Sequence, residues 1–270
     1  MENNSNKTIV CFSGTGNSFY VATQLKEKLD YDEVLLMPDV VDNPKIYHNP
    51  KELGIIFPTY FLKPVNYLRT FVEEIVSRPE MDNLEYLFII TTYGSFISKS
   101  LNIAERLLGY NDCYISYCNK VKMVDSYSPL FTIPKEDKIK LKYKKADQKI
   151  ELIAQEILSN KVRIPSFKLG LGPSFKNYLK RVEKVHTSPF IVGEECTKCR
   201  LCIEGCPGNA IVLKEGKVVF TEGCQDCWGC YHRCPVHAIK YEGIKNPTYY
   251  KNEKSGFKPI YERGNNEIHR

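Results

Sequence analysis

Residues 7–29 read "KTIVCFSGTGNSFYVATQLKEKL". A β-branched run ends at Phe12, and from Val21 the apolar positions change to helical spacing through Ala22, Leu25 and Leu29. Between the two lies a short polar loop, "SGTGNS", at 13–18. The same order of strand, loop and helix recurs along the chain. "DEVLLM" (32–37), "LGIIFP" (53–58), "YLFIITTYG" (86–94) and "DCYISYCNKVKMV" (112–124) read as further strands. Helical stripes run through Val65, Leu68, Phe71, Val72 and Ile75, and through Leu101, Ala104 and Leu108. A last helix, opened by Pro134, carries Ile139, Tyr143, Ala146, Ile150, Ile153 and Ile157 as a sheet-covering face. Five short strands separated by helices predict an α/β fold, a doubly wound parallel sheet with ligands at the carboxyl ends of its strands.

The loop at 13–18 is the first such strand end. Its glycines allow a tight turn, and Ser13, Thr15 and Ser18 set hydroxyls beside the amides at a helix start, where a phosphate can be held without a lysine. Gly14-x-Gly16 with Asp39 suits a Rossmann dinucleotide site superficially, but Phe19 stands where the third glycine belongs. No G-x4-G-K-[ST] occurs, which excludes a Walker loop. A purely structural turn remains the plain alternative. "KLGLGPSF" (168–175) reads as linker punctuation.

Further on stand "CTKCRLCIEGCP" (196–207) and "CQDCWGCYHRCP" (224–235), one pattern shifted by 28 positions from Cys196 to Cys224. The echo continues into Ala210-Ile211 and Ala238-Ile239, so this is a duplicated half-domain. Three cysteines at intervals of three can wrap their thiolates around corners of one cubic [4Fe-4S] cluster, with the fourth corner supplied from elsewhere. "IVLKEGKVVF" (211–220) reads as a hairpin turned at Glu215-Gly216. A pair of four-cysteine zinc sites is the competing reading, disfavoured by the third close cysteine and the Cys-Pro ending of each run. Cys11, Cys113 and Cys118 lie in apolar, strand-like stretches and are expected in the core. Trp228, His232 and His237 adjoin the second run and read as exposed, incidental residues.

Both runs resemble the ligand pattern of bacterial two-cluster ferredoxins. That resemblance implies crossed ligation, with one cluster on Cys196, Cys199, Cys202 and Cys234 and the other on Cys224, Cys227, Cys230 and Cys206. The loop at 13–18 resembles the flavodoxin phosphate loop, which implies that Ser13, Thr15, Gly16, Asn17 and Ser18 hold the phosphate of FMN. By the same resemblance, Pro58-Thr59-Tyr60-Phe61 and Thr92-Tyr93-Gly94 enclose the isoalloxazine ring, with Tyr60 and Tyr93 stacking on it. The whole chain is similar to the flavodoxin-ferredoxin fusion proteins of anaerobic bacteria and archaea. The implied organisation is a flavodoxin-like FMN-binding domain at 1–163, a linker at 164–187, a small α+β ferredoxin domain at 188–243 and a C-terminal tail at 244–270. The implied function is an electron-transfer flavo-iron-sulfur protein that passes electrons between two [4Fe-4S] clusters and FMN. Alternatives are an FMN-dependent reductase of a small molecule fed by the clusters, and a ferredoxin with a flavin-free N-terminal domain. Two features depart from flavodoxins: the chain is basic, and "PTYFLKP" (58–64) contains no glycine.

Composition bounds these readings. The chain has 270 residues, 43% hydrophobic and 26% charged, enough for one large and one small globular domain. "MENNSNKTIV" (1–10) has no apolar signal core, and no run of about 18 apolar residues occurs, so a cytoplasmic protein without a membrane span is expected. Eleven cysteines in a reducing cytosol then point to metal or redox chemistry. The formal charge of +6 includes lysines at 135–149 and 176–184. Two oxidised four-thiolate clusters and an FMN phosphate, at roughly −2 each, would bring that surplus near zero. Nucleic-acid binding is therefore not needed to explain the charge, and an acidic redox donor or acceptor is the sharper partner. No nicotinamide fingerprint and no nucleophile–base pair is visible, which favours a carrier over a self-sufficient dehydrogenase.

Overall fold

The structure is a computed structural model, and it describes residues 6–60, 63–76, 83–96, 99–164, 190–245 and 247–261. The linker punctuation at 168–175, the lysines at 176–184 and Phe61 lie outside these residues.

Strand β1 (Lys7–Cys11) runs into helix α1 (Asn17–Leu29) through the polar loop. Then come β2 (Glu33–Leu36), α2 (Met37–Asp42), β3 (Glu52–Tyr60), the short β4 (Lys63–Pro64) and α3 (Asn66–Phe71), which continues as a wider turn over Val72–Val76. β5 (Tyr86–Tyr93), α4 (Ser100–Tyr110), β6 (Tyr117–Lys122) and α5 (Glu136–Leu158) complete the first unit. The strands lie in the order β2-β1-β3-β5-β6, all parallel, with β4 folded back antiparallel on β3. Counting only the five parallel strands, this is 2-1-3-4-5, the flavodoxin-like doubly wound order, whose switch point lies between β1 and β3.

The strand pleat divides the core. Val10, Phe12, Ile55 and Phe57 face α2, α3 and α4. Ile9, Cys11, Ile56 and Phe88 face α1 and α5, where Val21, Leu25, Ile150 and Ile153 are fully buried. The stripe anticipated on the last helix is therefore a sheet-covering face. Of the three cysteines expected in the core, Cys11 and Cys118 are buried in strands. Cys113 differs: it is half-buried in the turn before β6, because the strand begins only at Tyr117.

The second unit is small. β7 (Phe190–Val192) pairs antiparallel with β10 (Ile239–Tyr241), and β8 (Ile211–Lys214) pairs with β9 (Lys217–Phe220) in the anticipated hairpin. Glu215 and Gly216 both have positive φ, 50° and 74°, as a tight right-twisted hairpin requires. Two short helices, α6 (Leu201–Glu204) and α7 (Gly229–Arg233), follow the cysteine pairs. The duplication is written into the backbone: left-handed residues occur at Lys198, Arg200 and Asn209, and again at Asp226, Trp228 and His237. Such alternation curls a chain so that its amides and sulfurs face a common concavity.

The units are joined by close contacts. Residues 247–261, placed in the tail by sequence, run back across both as a strap. The Asn252 amide donates to the Thr15 carbonyl at 2.8 Å, and the Tyr261 amide donates to the Glu204 carbonyl at 3.2 Å.

Candidate functional site

Loop 13–18 opens a cavity of about 360 Å³ at the carboxyl ends of β1, β3, β5 and β6. The sequence builds this loop from within. The Gly16 amide donates to Ser13 Oγ at 3.1 Å, and Gly16 takes φ 93° as the left-handed N-cap of α1. No side chain caps α1 and its first turn carries no acidic residue, features that suit the leading amides of a helix to an anion. Ser13, Thr15 and Ser18 are buried. Ser18 Oγ lies 2.8 Å from Thr92 Oγ1, which ties the helix start to the end of β5.

Ser13, Thr15, Asn17, Ser18, Pro58, Thr59, Tyr60, Thr92, Tyr93 and Gly94 all line this cavity. Gly16 does not; it turns toward the strap, where a Cβ would meet Ser255 Oγ at 2.6 Å. The Asn17 side chain is committed to bracing: its Nδ2 donates to the Val124 carbonyl at 2.9 Å, and its Oδ1 accepts from the Tyr250 hydroxyl at 2.7 Å. Tyr60 stands edge-on to Phe12, 6.3 Å between centroids, and burial pushes its phenol well above the ordinary range.

The cavity has walls that the sequence reading missed. Residues 123–127, with Phe131, close the side beyond β6. Asp125 accepts the amides of Ser95 at 2.7 Å and Tyr127 at 3.0 Å, fixing this loop against the end of β5. A doubly wound sheet places every βα loop on the ligand face, so the loop after the fifth strand could have been named from topology alone. The remaining wall comes from the second unit: Asp226 and Trp228, on either side of Cys227, border the same space.

The cysteines gather in two groups. Cys196, Cys199, Cys202 and Cys234 line one small cavity; Cys206, Cys224, Cys227 and Cys230 line another. Each run thus contributes three members to one group and its last cysteine to the other. The last cysteines are placed alike, with the Ala210 amide 3.4 Å from Cys206 Sγ and the Ala238 amide 3.2 Å from Cys234 Sγ. Burial and neighbouring thiols push Cys202 up to about 11 and Cys227 up to about 12. Crowded thiols of this kind become thiolates only when cationic metal compensates them, which suits a metal-sulfur group. Among the described residues no group of three or more His, Cys, Asp or Glu side chains is placed to hold a metal ion; each cysteine group lines a small cavity.

Trp228 and His232 correct the reading of this segment as exposed. Each is only 4% exposed, while His237 lies on the surface, stacked on Tyr249. His232 joins three elements. Its Nδ1 accepts the Tyr250 amide at 3.1 Å, so its Nε2 donates to the Ser126 carbonyl at 2.7 Å. Burial pushes this imidazole down to about 4, which keeps it neutral in that role. Arg233 donates to the carbonyls of Gly14 at 2.6 Å and Gly205 at 3.2 Å. Tyr67 donates to the Pro207 carbonyl at 2.7 Å.

The fold defines a flavodoxin-like doubly wound α/β unit followed by a small cysteine-rich unit. Residues 188–247 match the family described as "4Fe-4S dicluster domain". A ferredoxin of Rickettsia felis is 36% identical over 56 residues, covering 20% of this chain and 51% of that protein. An uncharacterized protein of Methanocaldococcus jannaschii is 29% identical over 119 residues, covering 43% of this chain and 28% of that protein. The chain thus spans no more than about half the length of either curated relative. Among solved structures, a two-electron reduced Megasphaera elsdenii flavodoxin is similar at 14% identity and a TM-score of 0.38, covering 55% of this chain and 98% of that one. No helix among the described residues is long and apolar enough to cross a membrane.

Proposed function

We propose that the chain is an electron carrier that holds FMN in the cavity above loop 13–18 and two [4Fe-4S] clusters on the crossed cysteine sets. When bound, the clusters pass single electrons and the flavin takes up one or two, so the pairing converts between one-electron and two-electron partners. The observation that carries this reading is the shared wall: Trp228 borders both the flavin cavity and the cavity of Cys206, Cys224, Cys227 and Cys230. The residues do the holding. The amides of α1 and the hydroxyls of Ser13, Thr15 and Ser18 receive a phosphate; Tyr60, Tyr93 and Tyr127 offer aromatic surface to a ring. Backbone amides directed at Cys206 and Cys234 stabilise sulfur charge.

The shared wall also sets an order. The set of Cys206, Cys224, Cys227 and Cys230 adjoins the flavin, and the other set includes the exposed Cys199, where an acidic redox protein could exchange electrons. The test is anaerobic purification with iron, sulfide and FMN quantitation, followed by chemical reduction of the clusters with stopped-flow detection at flavin wavelengths. About eight irons and one FMN per chain, with flavin reduced through the clusters, is the expected result. Bound zinc in place of iron, or a chain that takes up no FMN, would overturn the reading.

A further inference from the structure

The five aromatic rings around Trp228 all belong to the cluster unit or the loop after β6. It packs against Phe190 and Tyr241 at 4.8 Å, Tyr231 at 5.1 Å and Tyr127 at 5.4 Å between centroids. Its backbone is left-handed, φ 60°, an uncommon state for a bulky residue that persists only where its surroundings impose it. The imposing feature is the wrap of residues 224–230 around the cysteine cavity, since Trp228 falls between Cys227 and Cys230. Beside it, Gly14 of the phosphate loop approaches so closely that a Cβ there would lie 2.2 Å from the Cys227 carbonyl oxygen.

The phosphate loop is held from its other side as well. The strap takes the Thr15 carbonyl through the Asn252 amide and Asn17 Oδ1 through the Tyr250 hydroxyl, and it hooks onto His232 through the Tyr250 amide. Loop 13–18, helix α7 and the strap therefore form one bonded network, and the His232 amide ties α7 to the Trp228 carbonyl at 3.1 Å. The cavity of Cys196, Cys199, Cys202 and Cys234 shares no residue with the flavin cavity.

We propose that the flavin site is bipartite: the loop 224–230 forms one wall of it, Trp228 positions the ring, and flavin retention depends on the cluster held by Cys206, Cys224, Cys227 and Cys230 but not on the other cluster. This rests on the FMN reading above. Loss of that cluster frees the loop that fixes Trp228, which opens the flavin cavity to water. Linkage makes the effect mutual, so bound FMN protects that cluster by the same factor by which the cluster tightens FMN.

The experiment measures the FMN dissociation constant of the whole protein, prepared anaerobically, for the wild type, Cys224→Ala and Cys199→Ala. Cys224→Ala should weaken FMN binding about tenfold or more, whereas Cys199→Ala, which loses its own cluster, should stay within about twofold of wild type, a contrast within the usual span of coupling between sites. A second measurement needs no variant: iron release from the wild type to a chelator, with and without FMN. FMN should slow the release of one half of the iron and leave the other half unchanged. Trp228→Ala should weaken FMN binding, while Trp228→Phe should restore affinity but alter the visible circular dichroism of the bound flavin, a signature that a mere space-filler would not move. Equal FMN affinity in the two cysteine variants, or equal protection of both halves of the iron, overturns the proposal. A wild type with full iron that binds no FMN overturns instead the reading on which it rests.

Discussion

Gly14 is the point at which the two units touch through backbone, and it makes the contact measurable. A Cβ added there meets the Cys227 carbonyl oxygen at 2.2 Å, the Tyr60 hydroxyl at 2.7 Å and Cys227 Cβ at 3.0 Å. The first of these is backbone and cannot swing aside. The cluster loop must retreat by about 0.8 Å or more, an overpacking that costs about 1–3 kcal/mol. Retreat also lengthens the bond from Arg233 to the Gly14 carbonyl, now 2.6 Å, so the upper part of that range is expected. For a chain of this size about 2–4 °C of melting temperature follows each kcal/mol, so Gly14→Ala should lower the apparent Tm by about 4–10 °C. Gly109→Ala is the matched control: it lies inside α4 with nothing within 4 Å of its Cβ, and alanine there should stabilise by about 0.5–1 kcal/mol through helix propensity. Anaerobic calorimetry of the iron-loaded protein at one fixed scan rate compares the two. The reasoning fails if Gly14→Ala melts at or above the wild-type temperature with its iron intact.

Crossed ligation is tested by pairing cysteine changes. Cys206→Ala with Cys227→Ala should retain about four irons, as each single change does, whereas Cys206→Ala with Cys199→Ala should lose both clusters; the inverse outcome would establish local ligation. Thr15→Ala combined with Ser18→Ala should abolish FMN binding while iron still loads anaerobically in the absence of a chelator, and equilibrium dialysis showing wild-type affinity would remove the phosphate loop from the site. Glu156 binds Lys161, Tyr117 and Arg163, and these partners, Lys161 first, hold its carboxyl down at about 2 against an ordinary 4.5. Its folded pKa is depressed, so its contribution is complete above 4.5 and is lost as pH falls toward 2. Glu156→Gln should therefore be less stable than wild type near neutrality in denaturant titrations, and the gap should close on acidification; a gap that widens in acid would contradict the sign.

The doubly wound sheet was legible because β1, β3 and β5 are mostly apolar runs and α5 carries a clean stripe, so period alone separates them. The duplication in the cysteine unit was legible for a different reason: a 28-residue repeat in sequence becomes a repeat of left-handed residues, 198 with 226 and 200 with 228, and so a repeat of shape. What escaped were contacts between segments far apart in the chain. His232 carries no local sign that its partners are Ser126 and Tyr250. Trp228 looks like a solvent-facing insertion between ligands until Phe190, Tyr241 and Tyr127 are placed against it. The strap has neither helical nor strand period, being mostly irregular chain with one short turn at Glu253–Ser255, so composition reads it as a tail. Cys113 shows the limit of apolar runs: "CYIS" has the composition of a strand, yet the sheet pairing starts at Tyr117.

Trp228 is the only tryptophan in the chain. The protein consequently has a single indole chromophore, and it stands where the cavity above loop 13–18 meets the cavity of Cys206, Cys224, Cys227 and Cys230. Indole emission, excited at the red edge of the absorption where tyrosine does not absorb, reports on that place and no other. An iron-sulfur cluster or a flavin beside the indole drains its excited state, so a fully loaded protein should be nearly dark, and full emission should return only when both groups are stripped. The junction between the units is thus observable in solution without a label.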